Sequence, residues 1–319
     1  MLSVLFHIPH LQSPGVRQKL LKIIIEADYD NCYHGGIMDE KYNLLPGMAD
    51  SHFHSLEMEK KGLDAGVILE KCFSMGMSYA LDISTNTETF GKRLDFARLF
   101  KGVYITAGLS PGKAERNDSE LKSMLEQLEM QLYKNSSRAD SSREGRLAGV
   151  GETGLDWYWN YGTRDRQVHL FRNQLALAEK YSLPVIVHNR EADKEILESL
   201  KEEKLSRGGI IHCFSSDYSF ASKCLDLGFY ISFAGNLTYK KSTALHEAAK
   251  KLPAGSILVE TDAPYLAPGK MRGRLNHPGF IGYTYSFLAE IKDMDVQDLV
   301  YSIKTNFINL FNLKKEECI

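Results

Sequence analysis

From Met48 onward, eight short apolar runs alternate with amphipathic stretches of helical length, and this rhythm constrains the fold more than any other feature. The runs are 48–54, 79–84, 103–109, 147–151, 184–188, 209–214, 229–233 and 256–261. Helical spacing marks 65–76, 87–99, 118–133, 164–181, 191–202, 217–226 and 242–251 between them, with two further helices at 280–291 and 295–311. In the stretch 164–181, Val168, Phe171, Leu175 and Ala178 recur on one face. Asp217 and Gly228 stand where a helix takes its N-cap and its C-terminal glycine. Strands alternating with helices imply a parallel sheet with right-handed crossovers. Eight such units predict an α/β protein built as a single (β/α)8 TIM barrel. No Gly-x-Gly-x-x-Gly follows the first strand and no P-loop occurs, which weighs against an open nucleotide-binding sheet.

Residues 1–47 carry no such rhythm and read as an N-terminal extension before a barrel domain over 48–319, with Met38 or Met48 as alternative starts. The first residues lack a basic region and a small-residue cleavage site, so no signal peptide is read there. The five cysteines form no Cys-x-x-Cys, which argues against a disulfide framework or a thiolate zinc site and makes the cytoplasm the expected compartment. No apolar run reaches the length of a membrane span. The polar segment Lys134–Arg146 reads as a solvated loop at the N-terminal rim of the barrel.

The chemistry-bearing residues fall at the C-terminal ends of the apolar runs. His52 and His54 end the first and, two apart on a strand, share a face. Glu152 follows the fourth run, His188 ends the fifth, His212 the sixth, and Asp262 follows the eighth. A lone histidine at such a place is more often a hydrogen-bonded core residue. Six ligand-type residues on one rim of one barrel are a different matter, because a buried carboxylate cluster is costly unless a cation neutralises it. The spacing predicts two divalent ions. His52, His54 and Asp262 would hold one, His188 and His212 the other, and Glu152 would bridge them. Asp262 and Glu152 are the expected catalytic residues, with Asp262 orienting a water or taking its proton.

These residues sit in motifs that resemble the TatD family of metal-dependent deoxyribonucleases, within the wider amidohydrolase-like barrels. The matching runs are Asp50-Ser51-His52-Phe53-His54, Gly151-Glu152-Thr153-Gly154-Leu155-Asp156, the helix carrying Gln167, Phe171 and Gln174, and Leu183 to Arg190. His212-Cys213-Phe214-Ser215, Tyr230 to Gly235, Glu260 to Pro268, and Arg272-Gly273-Arg274 with Asn276 and Pro278 complete the set, which spans roughly 48–312. The resemblance implies hydrolysis of DNA phosphodiesters, often from the 3′ end and supported by magnesium, and for some relatives D-aminoacyl-tRNA deacylation. By softness the imidazole and carboxylate donors also suit Zn²⁺, Mn²⁺ or Fe²⁺. A hydrolase of small esters, lactones or amides on the same barrel is the alternative; Glu152, where many such barrels carry a carboxylated lysine, favours the nuclease branch. Two positions depart from the family pattern: Ser110 replaces its histidine after the third strand, and His277 its glutamate between Asn276 and Pro278.

With a formal net charge of −2 there is no global basic field, so any phosphate site must be local. Arg190, Lys240, Lys241, Arg272 and Arg274 are the expected phosphate contacts. Tyr158 and Tyr265 are candidates to stack on a base, whereas Trp157 is expected to pack. The expected partner is DNA with single-stranded or frayed ends, bound in a strongly salt-dependent way by a monomer.

Overall fold

A computed structural model describes residues 42–136 and 145–313. Its centre is one parallel sheet of eight strands in sequence order: β1 (Ala49–Phe53), β2 (Tyr79–Asp82), β3 (Val103–Ala107), β4 (Leu147–Asp156), β5 (Val185–Arg190), β6 (Gly209–Ile211), β7 (Phe229–Phe233) and β8 (Ile257–Val259). The sheet curls round until β1 meets the chain leaving β8. There the Asp262 amide donates to the His52 carbonyl at 2.8 Å, and the His54 amide donates to the Ala263 carbonyl at 2.8 Å. The predicted TIM barrel is therefore the observed fold. Its strands are buried along nearly their whole length, as parallel strands covered by helices must be.

The helices match the expected rhythm: α2 (Ala65–Ser74), α3 (Phe90–Ala97), α4 (Asp118–Asn135), α5 (Arg164–Lys180), α6 (Asp193–Glu203), α7 (Tyr218–Asp226), α8 (Thr243–Lys251), α9 (Ile281–Lys292) and α10 (Val296–Phe311). One short helix, α1 (Ser55–Lys60), was not legible as a separate element. Local chemistry sets several starts. Asp217 accepts from the Phe220 amide at 2.9 Å, and Asn117 with Glu120 forms a capping box at the head of α4.

Helix α5 buries Phe171, Leu175 and Ala178 as its periodicity requires, with Val168 half-buried. It also buries two glutamines. Gln174 donates to the Leu109 carbonyl and to the Thr153 hydroxyl and accepts from the Leu109 amide. Gln167 accepts from the Asp156 amide and donates to the Asp156 carbonyl. Both satisfy backbone groups at the upper ends of β3 and β4.

Strand β4 runs five residues past the expected end at Gly151, because glycines let it continue through a bulge. Its register on β5 slips between Val150 and Thr153, so the stretch holding Gly151 and Glu152 contains one extra residue. A Cβ on Gly154 would stand 2.0 Å from the His188 carbonyl oxygen, so only glycine fits beside β5 at that point.

Residues 42–47 pack on the barrel body: the Asn43 amide donates to the Gly279 carbonyl at 3.0 Å, and the Gly47 amide to the Gly76 carbonyl at 2.8 Å. The rest of the segment read as an extension lies outside the described residues, as do 137–144 of the polar segment. The ends of that polar segment are not simple loop: Lys134 and Asn135 finish α4, and Arg146 is buried at the foot of β4, donating to the Val103 carbonyl.

A buried ion pair ties the lower-numbered strands to their helices. Arg93 of α3 donates to Asp82 at the end of β2, and both side chains are buried. Asp82 also accepts from the Ser55 amide at 3.0 Å at the start of α1. Removing one partner strands a charge in the interior. Arg93→Met is expected to destabilise the protein by about 3–5 kcal/mol, read as a lower urea midpoint with an unchanged denaturant slope.

Candidate metal centre and its cleft

All six rim residues come together. The Nε2 atoms of His52 and His54 lie 3.1 Å apart, and Asp262 Oδ1 stands 3.6 and 3.5 Å from them. On the other side His188 Nδ1 and His212 Nε2 are 3.3 Å apart. Glu152 lies between the groups. Its Oε1 is 3.0 Å from His188 Nδ1 and 3.2 Å from His212 Nε2, while its Oε2 is 3.8 and 3.9 Å from the Nε2 atoms of His52 and His54. Donor atoms on one ion with bonds of about 2.1 Å stand roughly 3.0–3.5 Å apart. The His188, His212 and Glu152 atoms fall within this range, whereas Glu152 Oε2 stands slightly outside it from His52 and His54, and the whole cluster is able to hold a metal ion.

The imidazoles are also turned the right way. The His54 Nδ1–H donates to the Ile83 carbonyl at 3.2 Å. His212 Nδ1–H donates to Glu260 Oε1 at 3.3 Å, and His188 Nε2–H donates to Asp156 Oδ2 at 3.0 Å. With one ring nitrogen held as donor, the inner nitrogen is the one that gives up its proton and offers a lone pair when a cation binds beside Glu152. Three imidazoles so oriented, with His52, Glu152 and Asp262 beside them, make a donor set that fits a cation. The His52 ring stacks on that of His212 at 3.9 Å, and its buried Nδ1 has no hydrogen-bond partner among the described residues.

Asp156 and Glu260, which hold His188 and His212, were quoted in the sequence motifs without a role. An ionisable residue at the end of an apolar strand must find a partner, and that was the available signal. Glu260 Oε1 also accepts from the Cys213 amide at 2.7 Å, and Asp50 binds the Thr261 amide and hydroxyl, fixing the chain that carries Asp262.

The charges are strongly coupled. Burial disfavours the Glu152 carboxylate, but His212 and His188 outweigh it and hold Glu152 well below the usual range. Burial likewise disfavours the His212 imidazolium, yet Glu152 and Glu260 raise it well above 6.5. Burial opposes charge on His54 and His188 too, but the Asp262 hydrogen bond raises the first and those of Asp156 and Glu152 the second. Burial and the neighbouring His212 and His54 push His52 well below. Burial and Asp262 push the Cys213 thiol far up.

His54, Glu152, His188, His212 and Asp262 line a cleft of about 770 Å³, with His52 buried beneath them. Arg190 lines it as expected, its guanidinium 3.9 Å above the Tyr158 ring. Tyr265 and Ser110 line it too, as do Lys113, Arg116, Trp159 and Tyr161, which sequence reading did not single out. Trp157 packs, donating to Glu195 at 3.3 Å with Arg164 over its ring. Lys240, Lys241 and Arg272 instead line a neighbouring depression, and Arg274 is exposed on the loop after β8 and lines neither. His277 is buried under the rim against Phe280 and Tyr42.

A sequence profile described as TatD related DNase matches residues 49–312. An uncharacterized metal-dependent hydrolase of Escherichia coli, YcfH, is 34% identical over 269 residues, covering 83% of this chain and 96% of that protein. The Bacillus subtilis protein YabD, also described as an uncharacterized metal-dependent hydrolase, is 29% identical over 265 residues, covering 83% and 98%. The crystal structure of YjjV, a TatD homolog from E. coli, superposes with a TM-score of 0.76 at 29% identity, covering 85% of this chain and all of that one.

Binding of a cation requires neutral imidazoles. In the ion-free protein the raised His54, His188 and His212 contribute stability that is full below about 6.5 and lost as pH rises through their raised values. A bound ion supplies the positive charge instead. Adding Mn²⁺ or Zn²⁺ to chelated protein should raise Tm by about 5 °C or more at saturating metal, and the increment should widen from pH 6 to pH 8, followed by calorimetry.

Proposed function

The chain belongs to the TatD related DNase family, and from that membership we propose that it is a deoxyribonuclease removing nucleotides from the 3′ end of single-stranded or frayed DNA. That it is a metal-dependent hydrolase follows from the family and from the His/Glu/Asp cluster. The observation that carries the finer reading is Glu152. One of its oxygens faces each ligand set at the floor of a cleft walled by Arg190, Lys113 and Arg116.

His52, His54 and Asp262 would hold one divalent ion, His188 and His212 a second, with Glu152 shared. Mg²⁺ is proposed for turnover, with Zn²⁺, Mn²⁺ or Fe²⁺ also suited by donor type. Two such ions, when bound, polarise a phosphodiester and lower the pKa of a water toward about 7. Asp262 then accepts the proton of the attacking water at its carboxylate. Arg190, braced on Tyr158, holds a phosphate oxygen by charge and by its planar fork. Asp156 and Glu260 keep the His188 and His212 rings oriented. Trp159, Tyr161 and Tyr265 offer faces on which an unpaired terminal base can stack. The protein is proposed to act as a cytoplasmic monomer.

End-labelled single-stranded DNA incubated with Mg²⁺ or Mn²⁺ should shorten from its 3′ end. EDTA should stop this, and Asp262→Asn should slow it by about 10²–10⁴-fold. Intact DNA beside cleavage of a small ester or lactone would instead place the protein among small-molecule hydrolases of the same barrel.

A further inference from the structure

A second depression, of about 840 Å³, adjoins the catalytic cleft across the loops that leave β7 and β8. The two share their dividing walls. Asn236 and Leu266 face the cleft, while the following Thr238–Ser242 and Pro268–Arg272 face the second depression. The loops are bonded to each other. The Tyr239 hydroxyl donates to the Ala267 carbonyl at 2.9 Å, and the Gly269 amide donates to the Thr238 hydroxyl oxygen at 2.6 Å. The floor is therefore preformed rather than assembled on binding.

Among the described residues that line it are four exposed cations, Lys240, Lys241, Lys270 and Arg272, against one carboxylate, Glu290. Among the described residues none of the four cations is in an ion pair. Two half-buried aromatic rings lie beneath them. Arg272 stands 4.9 Å above the Tyr239 ring and Lys270 stands 5.8 Å above that of Tyr283. Exposed cations held over aromatic rings suit a nucleic-acid strand, the cations meeting its phosphates and the rings supporting the cations.

We propose that this depression is an extended subsite that holds the part of a single DNA strand lying 5′ to the bond being cleaved. The proposal rests on the nuclease reading above and adds a length requirement to it. Short oligonucleotides fill only the metal-lined cleft. Longer ones continue over the wall between Asn236 and Thr238 and gain the contacts of the second depression.

The test compares Mg²⁺-loaded wild-type protein with Lys270→Gln/Arg272→Gln and with Glu290→Gln on oligothymidylates of two to ten nucleotides. For the wild type, kcat/KM should climb by about tenfold as the substrate grows past the cleft. The double substitution should flatten that climb and reduce the slope of log kcat/KM against log salt on the ten-nucleotide substrate by about 1.4, roughly 0.7 for each lost phosphate contact. Glu290→Gln should steepen the climb. A kcat/KM independent of length, or a climb identical in all three proteins, overturns the subsite and leaves the nuclease reading standing. Failure to cut any oligonucleotide overturns both.

Discussion

The site depends on the placement of one buried carboxylate, that of Glu152, between two pairs of imidazoles. It is the shared neighbour of His188 and His212 on one oxygen and of His52 and His54 on the other. A carboxylate so buried would ordinarily be protonated; here the surrounding positive charge keeps it ionised. The same rings are in turn held by acceptors from three other places in the barrel: the Ile83 carbonyl after β2, Asp156 at the end of β4 and Glu260 after β8. Each element of the rim therefore contributes to an electrostatic balance that none could hold alone.

The aim of Glu152 comes from backbone, not from side-chain packing. The bulge in β4 inserts one residue between Val150 and Thr153, and the Glu152 amide donates to the Ser84 carbonyl at 2.6 Å. Gln167 and Gln174 then satisfy the polar groups that the irregular strand leaves open. The glycines at 151 and 154 admit this path because β5 passes too close for any Cβ. The catalytic rim is thus paid for by a helix that sacrifices two core positions to amides.

Much of this was legible in the sequence. The eight-strand rhythm predicted the barrel, and the rule that barrels carry function at strand C-termini gathered His52, His54, Glu152, His188, His212 and Asp262 onto one rim. Other features were not legible, for identifiable reasons. Asp156 and Glu260 act through the far nitrogens of histidines distant in sequence, and no spacing encodes that pairing. Nothing in the helical pattern around Arg93 signals that Asp82 of β2 lies beneath it. Lys240 and Arg272 were correctly placed after β7 and β8, but the direction in which a loop carries its side chains is set by cross-loop bonds such as that from Tyr239 to Ala267. The extra residues of β4 beyond Gly151 were hidden because glycine usually ends a strand.

The outer acceptors of the imidazoles have a consequence for adaptation. His54 leans on a neutral carbonyl, whereas His188 and His212 lean on carboxylates. A charged acceptor makes its ring a stronger electron donor than a neutral one does. The two halves of the centre are thus chemically unequal although their inner residues look alike. A lineage could retune the His188 and His212 side by exchanging Asp156 or Glu260, leaving the six inner side chains unaltered, whereas the Ile83 carbonyl is backbone and persists through any substitution.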